Sequence, residues 1–435
     1  MQSLKILYSA YACEPGRGSE PGIGWHWALE TARLGHQVWV LTRANNRELI
    51  ERTAIERGAA GDPLPANLRF AYYDLPAWAR KWKRGGRGVH LYYVLWQWGA
   101  ARVARTLHAR ENFTAVHHIT FGVMRHPIFM DRLGIPCIVG PVGGGERAPL
   151  ALRRHYPFGE FCKTLLRDGA NAFARFDPWV RRMYREASLI LAKTPQTLAW
   201  LARPYQHKAE CMLEIGIARV NEEKAGDADA ADLRQAGELR MLFVGRFIPF
   251  KGMGLGLRAL AELRGRGIDA VLTMIGQGPL LAHWQELARD LGVEQAVTWV
   301  PWMSQAELLQ SYQQFDVLLF PSLNDSSGNV VLEALAGVLP VVCLDLGGPA
   351  QIADSACGRI VAVEGRDEAQ VVVGLAEALE EIASDPVLAR RLRSGALARA
   401  RRFAWGEVVA RIWGPQGRGT RLVQGARPAL PEAGL

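Results

Sequence analysis

Two cations follow a short apolar run in the second half of the chain, within the segment Phe243–Gly252. The segment reads Phe-Val-Gly-Arg-Phe-Ile-Pro-Phe-Lys-Gly, so Arg246 and Lys251 come just after a predicted strand. A guanidinium offers phosphate oxygens a planar fork and an ammonium offers a point charge, so the two side chains suit a diphosphate. A solvated basic loop has the same composition, and this segment alone leaves both interpretations open.

Two carboxylates lie on a later loop and the helix predicted to follow it. Asp325 and Glu333 are separated by seven residues, and a helix is predicted to begin near Gly328, after a Ser/Asn/Gly-rich turn. A carboxylate can accept hydrogen bonds from the vicinal hydroxyls of a ribose or hexose, and amides at a helix start attract phosphate. Glu333 stands in an apolar run and needs a partner, whereas Asp325 could simply cap the helix. The candidate donor-binding residues here are Ser327, Gly328, Asn329 and Val330.

Glycine-rich turns follow other predicted strands. Gly276-Gln-Gly278-Pro ends an apolar run, and Leu344–Pro349 follows another. Glycine lets a backbone approach a ligand closely, so Gly276 and Gly278 are candidate donor contacts, with a plain tight turn as the alternative. The first half has a similar loop at residues 10–25, with glycines at 16, 18, 22 and 24 before a helix predicted from Trp25. Its spacing fits neither G-x-G-x-x-G nor the P-loop pattern.

The order of these segments over residues 240–352 resembles the donor half of GT-B-fold retaining glycosyltransferases of family 4, also called group 1. The shared pattern is Val-Gly-Arg…Lys-Gly, Gly-x-Gly-Pro and Pro-Ser…Glu-Ala-Leu-Ala-Gly…Pro-Val-Val. The resemblance implies that Glu333 binds the nucleotide ribose and that Arg246 and Lys251 neutralise the diphosphate. Asp325 would hold the sugar, although the family usually has the longer Glu there.

The resemblance also assigns roles in the first half of the chain. Gly22 and Gly24 would touch the donor diphosphate, and a histidine after a strand would contact the donor sugar. Residues 115–122 carry two histidines, and strand alternation puts His118 on one face and His117 on the other. His118 is the first candidate and His117 the second, with a hydrogen-bonded core histidine as the alternative. The loop 140–147 also follows a strand, but its residues cannot be ranked.

Apolar runs alternate with helical patterns along all 435 residues, which is long enough for two or three domains. Near-continuous apolar strands separated by helices indicate parallel sheets covered on both faces. The predicted fold is α/β, a GT-B architecture of two facing Rossmann-like domains with a cleft between them. The predicted domains are residues 1–205 and 206–402, with a helix at about 403–413 returning to the first and a loose tail at 414–435. The predicted strands are 5–9, 37–42, 68–73, 115–120, 136–140, 188–192, 240–245, 270–276, 297–300, 317–320, 341–344 and 359–363.

The net charge of +9 favours anionic partners. Residues 78–98 combine five basic residues with interfacial aromatics, which suits an anionic membrane surface. Nucleic acid binding or a solvated loop would use similar residues, and no nucleic acid partner is expected.

The six cysteines form no CxxC pair and show no zinc spacing, so a reducing cytoplasm and no metal site are expected. No run reaches the ~18 apolar residues of a membrane span, so a cytoplasmic protein, peripheral at the inner face of a membrane, is predicted.

The activity implied by the resemblance is retaining, metal-independent transfer of a sugar from a nucleotide-sugar donor to a hydroxyl of a sugar or lipid-linked acceptor. It would serve cell-surface polysaccharide or glycolipid synthesis and use no cofactor.

One alternative is a nucleotide-sugar epimerase on the same fold. Another is an NADP-dependent oxidoreductase using Arg43, which the missing G-x-G-x-x-G disfavours. A third is a non-catalytic lipid- or nucleic-acid-binding protein using the basic cluster. The sequence does not fix the donor base, the sugar or the linkage.

Overall fold

The computed structural model describes the chain in four stretches, residues 3–80, 88–154, 156–218 and 237–425. The predicted linker Lys224–Ala236 and most of the basic cluster, residues 81–87, lie outside them.

The described residues divide into two compact units. The first takes its residues from 1–145, 170–215 and 405–435, and the second from 146–169 and 216–404. Residues 146–169, which the sequence pattern assigns to the first domain, are therefore part of the second unit. The segment from Trp405 to Trp413 belongs to the first unit.

Each of the twelve predicted strands is present, with ends within two residues of the prediction. One further strand, Ala209–Cys211, was not predicted because it is only three residues long and partly exposed. In chain order the strands are β1 (Lys5–Ala10), β2 (Gln37–Arg43), β3 (Leu68–Tyr73), β4 (Ala115–Ile119), β5 (Cys137–Val142), β6 (Leu189–Ala192), β7 (Ala209–Cys211), β8 (Leu239–Val244), β9 (Ala270–Ile275), β10 (Val297–Val300), β11 (Val317–Phe320), β12 (Val341–Leu344) and β13 (Gly358–Val361).

The helices of the described residues are α1 (Ser19–Arg33), α2 (Arg47–Ala59), α3 (Ala77–Arg80), α4 (Val89–Glu111), α5 (Phe158–Ala174), α6 (Pro178–Glu186), α7 (Pro195–Trp200), α8 (Arg203–Gln206), α9 (Met253–Gly265), α10 (Leu281–Asp290), α11 (Gln305–Ser311), α12 (Asn329–Ala336), α13 (Pro349–Ile352), α14 (Glu368–Ser384), α15 (Pro386–Arg401), α16 (Trp405–Trp413) and α17 (Arg418–Gly425). Across the four described stretches, no helix has both the length and the apolar composition that a membrane span needs.

Local sequence fixes several helix starts. Ser304 and Glu307 bond reciprocally at the start of α11, and Asp367 and Gln370 do the same at the start of α14. Each such capping box satisfies amides that the first turn leaves without partners. A cap residue of this kind contributes about 1 kcal/mol to stability.

Two predictions about the ends of elements were wrong. Helix α1 begins at Ser19, six residues before the predicted start at Trp25. The tail was expected to be loose from Gly414, yet Arg418–Gly425 forms α17, in which Thr420 and Val423 are buried. Gly419 permits this packing, because a Cβ there would lie 2.9 Å from side-chain carbons of Ile138 and Ile412. The Gly- and Arg-rich composition concealed a helix that tertiary packing stabilises.

All strand pairs of both sheets are parallel. The strand orders are β3-β2-β1-β4-β5-β6-β7 in the first unit and β10-β9-β8-β11-β12-β13 in the second. Strands such as β4, β5 and β12 are buried along their whole length, as expected for strands covered on both faces. The order reverses between β1 and β4 and between β8 and β11, and ligands bind beyond the carboxyl ends of strands at such switch points.

Candidate functional site

Lys251 and Asp325 join two loops at the β8–β11 switch point. Lys251 follows β8 and Asp325 follows β11, and their Nζ and Oδ2 atoms are 2.6 Å apart. Lys251 Nζ also lies 4.7 Å from the centroid of the Phe320 ring. Both charged side chains are less than one-fifth exposed. The ammonium is therefore held in one place before any ligand arrives.

Asp325 has both carboxylate oxygens engaged. Besides the Lys251 contact, Oδ1 accepts hydrogen bonds from the backbone N–H of Ser327 (3.2 Å) and Gly328 (3.0 Å). Burial by itself would raise the pKa of Asp325, but Lys251 and these amides outweigh it, so the pKa lies below its ordinary value. The ionised carboxylate thus orders the loop and orients Lys251. A sugar hydroxyl would have to share it with these donors.

In the part of the chain that the structure describes, Arg246 is not held by neighbouring side chains in the way that Lys251 and Asp325 hold each other. It is exposed, and within the described stretches its guanidinium has no ion-pair or hydrogen-bond partner. A Cβ placed on the preceding Gly245 would lie 3.7 Å from Lys251 Cε, so Arg246 leaves the backbone beside Lys251. The backbone next to Arg246 therefore lies beside Lys251, whose ammonium is held by Asp325, whereas Arg246 is exposed.

Gly276 and Gly278 support the Arg246 loop. The Phe247 N–H donates to the Gln277 carbonyl at 2.9 Å, which ties the two loops together. A Cβ at Gly276 would lie 1.9 Å from the Gly245 carbonyl oxygen, and one at Gly278 would lie 2.4 Å from the Phe247 carbonyl oxygen. Glycine is needed at both positions because backbone approaches backbone there. Their direct contact with a donor stays a prediction.

The start of α12 provides hydrogen-bond donors. Gly328 has a left-handed φ of 77°, and a Cβ there would lie 3.0 Å from Ile352 Cδ1. The N–H groups of Asn329 and Val330 have no acceptor among the residues that the structure describes. Such unpaired amides at a helix N-terminus attract anions. Ser327–Val330 thus lie where the sequence predicted them, and their contact with a ligand stays a prediction.

Glu333 lies in the second turn of α12 and is half-buried. Burial raises its pKa, and interactions with Gln305 and Tyr312 only partly oppose that rise. Gln305 Nε2 stands 3.5 Å from Oε1, at the limit of a hydrogen bond. The Glu333 carboxylate therefore retains capacity to accept hydrogen bonds from a ligand.

Glu146 was not ranked from the sequence. Its side chain is buried, Oε2 accepts a hydrogen bond from Ser326 Oγ at 2.8 Å, and its carbonyl accepts one from Asn324 Nδ2 at 3.0 Å. Glu146 thus fixes the loop that carries Asp325. The signal in the sequence was a single acid directly after three glycines, Gly143–Gly145, but only the fold reveals which loop it meets.

The β1–β4 switch point of the first unit is strained and internally bonded. Thr120 and Phe121, just after β4, have φ values of 72° and 53°. The Phe121 N–H donates to Glu20 Oε2 at 2.5 Å, and the Ala12 N–H donates to Thr120 Oγ1 at 3.2 Å. Left-handed conformations of non-glycine residues are costly and concentrate at functional sites, which makes this edge the candidate acceptor region.

Gly22 and Gly24 lie inside α1 and are buried, not in the loop before it. A Cβ at Gly22 would lie 2.1 Å from the Arg17 carbonyl oxygen, and one at Gly24 would lie 2.2 Å from that of Ala12. Both glycines let α1 pack against the loop after β1. The exposed glycines of this loop are Gly16 and Gly18. Gly22 and Gly24 therefore lie in a helix and not in the predicted loop, and their contact with the donor diphosphate stays a prediction.

Both histidines of β4 are core residues. His118 is 1% exposed, with Nε2 3.0 Å from the Tyr93 hydroxyl and Nδ1 3.2 Å from Ser9 Oγ. Burial lowers the pKa of His118 to about 3 and that of His117 to about 4. His117 accepts a hydrogen bond from Trp413 through Nδ1, which leaves Nε2 to donate to the Gly140 carbonyl. A donor sugar could reach His118 only if Tyr93 or Ser9 gave up its hydrogen bond.

An aromatic cluster adjoins this edge. The Tyr11 ring packs against Tyr93, Trp96 and Phe121 with centroid separations of 5.1–5.2 Å. The Arg43 guanidinium lies 4.4 Å from the Tyr11 centroid, and its Nε donates to the Tyr11 carbonyl. Arg43, the residue that suggested an NADP 2′-phosphate site, is thus engaged within the protein through Nε and one face of its guanidinium.

Part of the predicted membrane segment 78–98 can be described. Trp78, Leu91 and Trp98 are exposed, and the Arg102 guanidinium lies 4.0 Å from the Trp98 ring centroid. The basic residues 81–87 lie outside the described stretches, so membrane contact through this segment stays a prediction.

Two doubly wound parallel sheets define the GT-B fold, as predicted, and solved structures share it. One is Anabaena Alr3699/HepE in complex with UDP, with a TM-score of 0.56 and 15% identity, covering 94% of this chain and 98% of that chain. Another is WaaG, a glycosyltransferase involved in lipopolysaccharide biosynthesis, with a TM-score of 0.54 and 18% identity, covering 94% and 100%. At these identities the likeness concerns the fold.

The sequence comparisons concern a smaller part of the chain. Residues 227–399 match the family model of glycosyl transferases group 1. D-inositol 3-phosphate glycosyltransferase of Corynebacterium diphtheriae is 34% identical over 179 residues, 40% of each chain. The enzyme of the same name from Streptomyces bingchenggensis is 31% identical over 243 residues, 52% of this chain and 51% of that one. The chain thus spans two-fifths to half the length of these curated relatives.

Proposed function

We propose that this chain is a group 1 glycosyltransferase that moves a sugar from a nucleotide-sugar donor to an acceptor hydroxyl. The observation that carries the proposal is the set of donors at the β8–β11 switch point. It comprises the available Arg246, the ordered Lys251 and the unpaired amides of Asn329 and Val330. Together they offer positive charge and hydrogen-bond donors to a diphosphate.

The finer proposal is retaining, metal-independent transfer of the family 4 type. The acceptor oxygen bonds to the anomeric carbon as the bond from that carbon to the diphosphate oxygen breaks, and the acceptor proton passes to the departing diphosphate. The rate then depends on stabilising negative charge on the leaving group. Lys251 suits this task because Asp325 and Phe320 hold it in place, so little reorganisation accompanies the reaction. Glu333 would accept hydrogen bonds from the ribose.

The comparisons suggest where to begin with substrates. Solved neighbours include complexes with UDP and with UDP-glucose, so UDP-sugars are the first donors to test. The names of the sequence relatives make D-inositol 3-phosphate the first acceptor to test. A role in cell-surface polysaccharide or glycolipid synthesis, with the protein peripheral at the inner membrane face, completes the proposal.

A thermal-shift screen of UDP-, GDP- and ADP-sugars tests donor binding. A nucleotide sugar at a hundred times its Kd stabilises the protein by about 2.7 kcal/mol, and Arg246→Ala should abolish the shift. Sugar transfer and the anomeric configuration of the product are then followed by NMR, with and without EDTA. Absence of any shift at millimolar nucleotide sugar would contradict the proposal. Conversion of the free nucleotide sugar without release of nucleoside diphosphate would identify an epimerase instead.

A further inference from the structure

Helix α5 turns its large apolar side chains outward. Phe158, Leu165, Leu166 and Phe173 are 82, 45, 74 and 77% exposed, and Phe176 in the following turn is 75% exposed. We call these five residues the outward stripe. At 100° per residue, its four helical positions fall within about 100° of arc. Side chains of this kind are normally buried, so a contiguous exposed group of them marks an interaction surface.

The opposite face of α5 is polar and points inward. Asn171 is 1% exposed. Its Oδ1 accepts from Arg125 Nη1 at 2.8 Å, and its Nδ2 donates to the Gly144 carbonyl at 2.7 Å. Asp168 Oδ2 accepts from Arg153 Nη1 at 2.9 Å. Rotating the helix to bury the outward stripe would break these contacts, so the fold itself holds the stripe toward the outside.

Helix α14 shows the usual arrangement for comparison. Its apolar residues Val371, Leu375, Leu379 and Ile382 are buried, and its charged residue Glu380 forms an exposed ion pair with Arg266. The inverted orientation is thus a property of α5 and not of long helices in this protein generally.

Basic residues flank the outward stripe. Arg154, Lys163, Arg175 and Arg181 are exposed. Lys163 pairs with Glu160, whereas the other three have no ion-pair partner in the described part of the chain. Exposed apolar anchors with exposed cations near them in the chain match an anionic bilayer surface. A symmetric dimer through the same face would bring identical basic residues of two copies together, which disfavours self-association.

We propose that the outward stripe inserts into the headgroup region of an anionic bilayer, with α5 lying along the membrane plane. This surface is distinct from residues 78–98, and its existence does not depend on the proposed sugar transfer.

The test is flotation of the purified full chain with vesicles of phosphatidylcholine alone or mixed with phosphatidylglycerol. We expect binding to the anionic vesicles that weakens as salt rises. The double variant Leu166→Glu/Phe173→Glu should lower vesicle binding at least tenfold, and Arg154→Gln/Arg181→Gln should lower it severalfold on anionic vesicles. Ile55→Glu is the matched control, because Ile55 is 73% exposed on α2. All variants should keep the thermal midpoint and the nucleotide-sugar shift of the unmodified chain, because the changed side chains are exposed and outside the donor site.

Three results would overturn the proposal. One is no binding of the unmodified chain to anionic vesicles at low salt. A second is unchanged binding of Leu166→Glu/Phe173→Glu. A third is a dimer in sedimentation velocity that this double variant converts to a monomer, with no vesicle binding, which would make the stripe a self-association surface. The nucleotide-sugar shift reports separately on the donor site, so failure of membrane binding is distinguishable from failure of the proposed transfer.

Discussion

The two switch points of this molecule are built from the same topology but have opposite chemistry. Among the described residues of the β8–β11 edge, Arg246 has no ion-pair or hydrogen-bond partner, and the amides of Asn329 and Val330 have no acceptor. At the β1–β4 edge, His118 has both ring nitrogens engaged and Tyr11 packs among aromatic rings. One edge has spare hydrogen-bonding capacity and positive charge, whereas at the other the His118 and Tyr11 rings are engaged within the protein.

The difference supports a division of labour. Unpaired donors and a preoriented ammonium favour an anionic group, so the second unit suits the donor diphosphate. The Tyr11, Tyr93 and Trp96 rings at the switch point of the first unit are buried against one another, so the described residues of that edge offer a diphosphate no comparable set of donors. The predictions below test this contrast, from the largest expected effect to the smallest.

Lys251→Ala should reduce transfer by about 10²–10³-fold, because one preorganised donor to the leaving group is lost. Steady-state kinetics with the best donor from the screen measure the effect. Arg264→Ala is the control for loss of a cation outside the site, since Arg264 forms an exposed ion pair with Asp269, just before the amino end of β9. Folding is checked by the thermal midpoint, and Lys251→Arg, which keeps the charge, should recover part of the rate. Near-normal turnover of folded Lys251→Ala would refute its role.

Arg246→Ala should reduce transfer by about 10²-fold while changing stability by less than about 0.5 kcal/mol, since the side chain is exposed and forms no ion pair or hydrogen bond with the described residues. Arg246→Lys keeps the positive charge but loses the planar fork of the guanidinium. Its transfer rate should therefore lie between those of the unmodified chain and Arg246→Ala. Rate and urea midpoint are measured on the same preparations. A large loss of stability with unchanged rate would assign Arg246 a structural role.

Glu333→Gln should raise KM for the donor about tenfold, since a charge-assisted hydrogen bond to ribose contributes about 1.5–3 kcal/mol. The same change should raise the thermal midpoint at pH 7. The sign follows from the raised pKa, because the ionised carboxylate is disfavoured in the folded state. A lower midpoint with unchanged KM would show that Glu333 serves only the fold.

His118→Gln should alter donor KM and kcat by less than about twofold, because the ring is buried and bonded within the first unit. Its main effect should be on acid stability. The folded pKa of His118 is lowered from 6.5 to about 3, so below pH 6.5 the unfolded chain binds a proton that the folded chain does not. The free energy of unfolding therefore falls as pH drops from 6.5 toward 3, and His118→Gln should flatten that slope in urea titrations. A hundredfold loss of kcat in a folded variant would show that His118 takes part in the donor site after all.

Much of the fold followed from local pattern. The strands are near-continuous apolar runs, and burial on both faces of a parallel sheet imposes that pattern. The contacts of Asp325 with the amides of Ser327 and Gly328 are local in sequence, and they match the capping role that the sequence left open as the alternative for this residue. The engagement of Asp325 by Lys251 joins residues 74 positions apart, and no local pattern specifies such a contact.

What the sequence by itself determined is the α/β alternation, the strand positions and the order of the loops that carry Arg246, Lys251, Asp325 and Glu333. The tertiary structure decided which groups are already engaged. Gly22 and Gly24 pack a helix, His118 is bonded in the core, Glu146 meets a loop distant in sequence, and α5 faces outward. The physical reason is that the periodicity of a strand or helix depends on the spacing of apolar residues within one short segment. A side chain's burial and partners depend instead on segments that meet only when the sheets form.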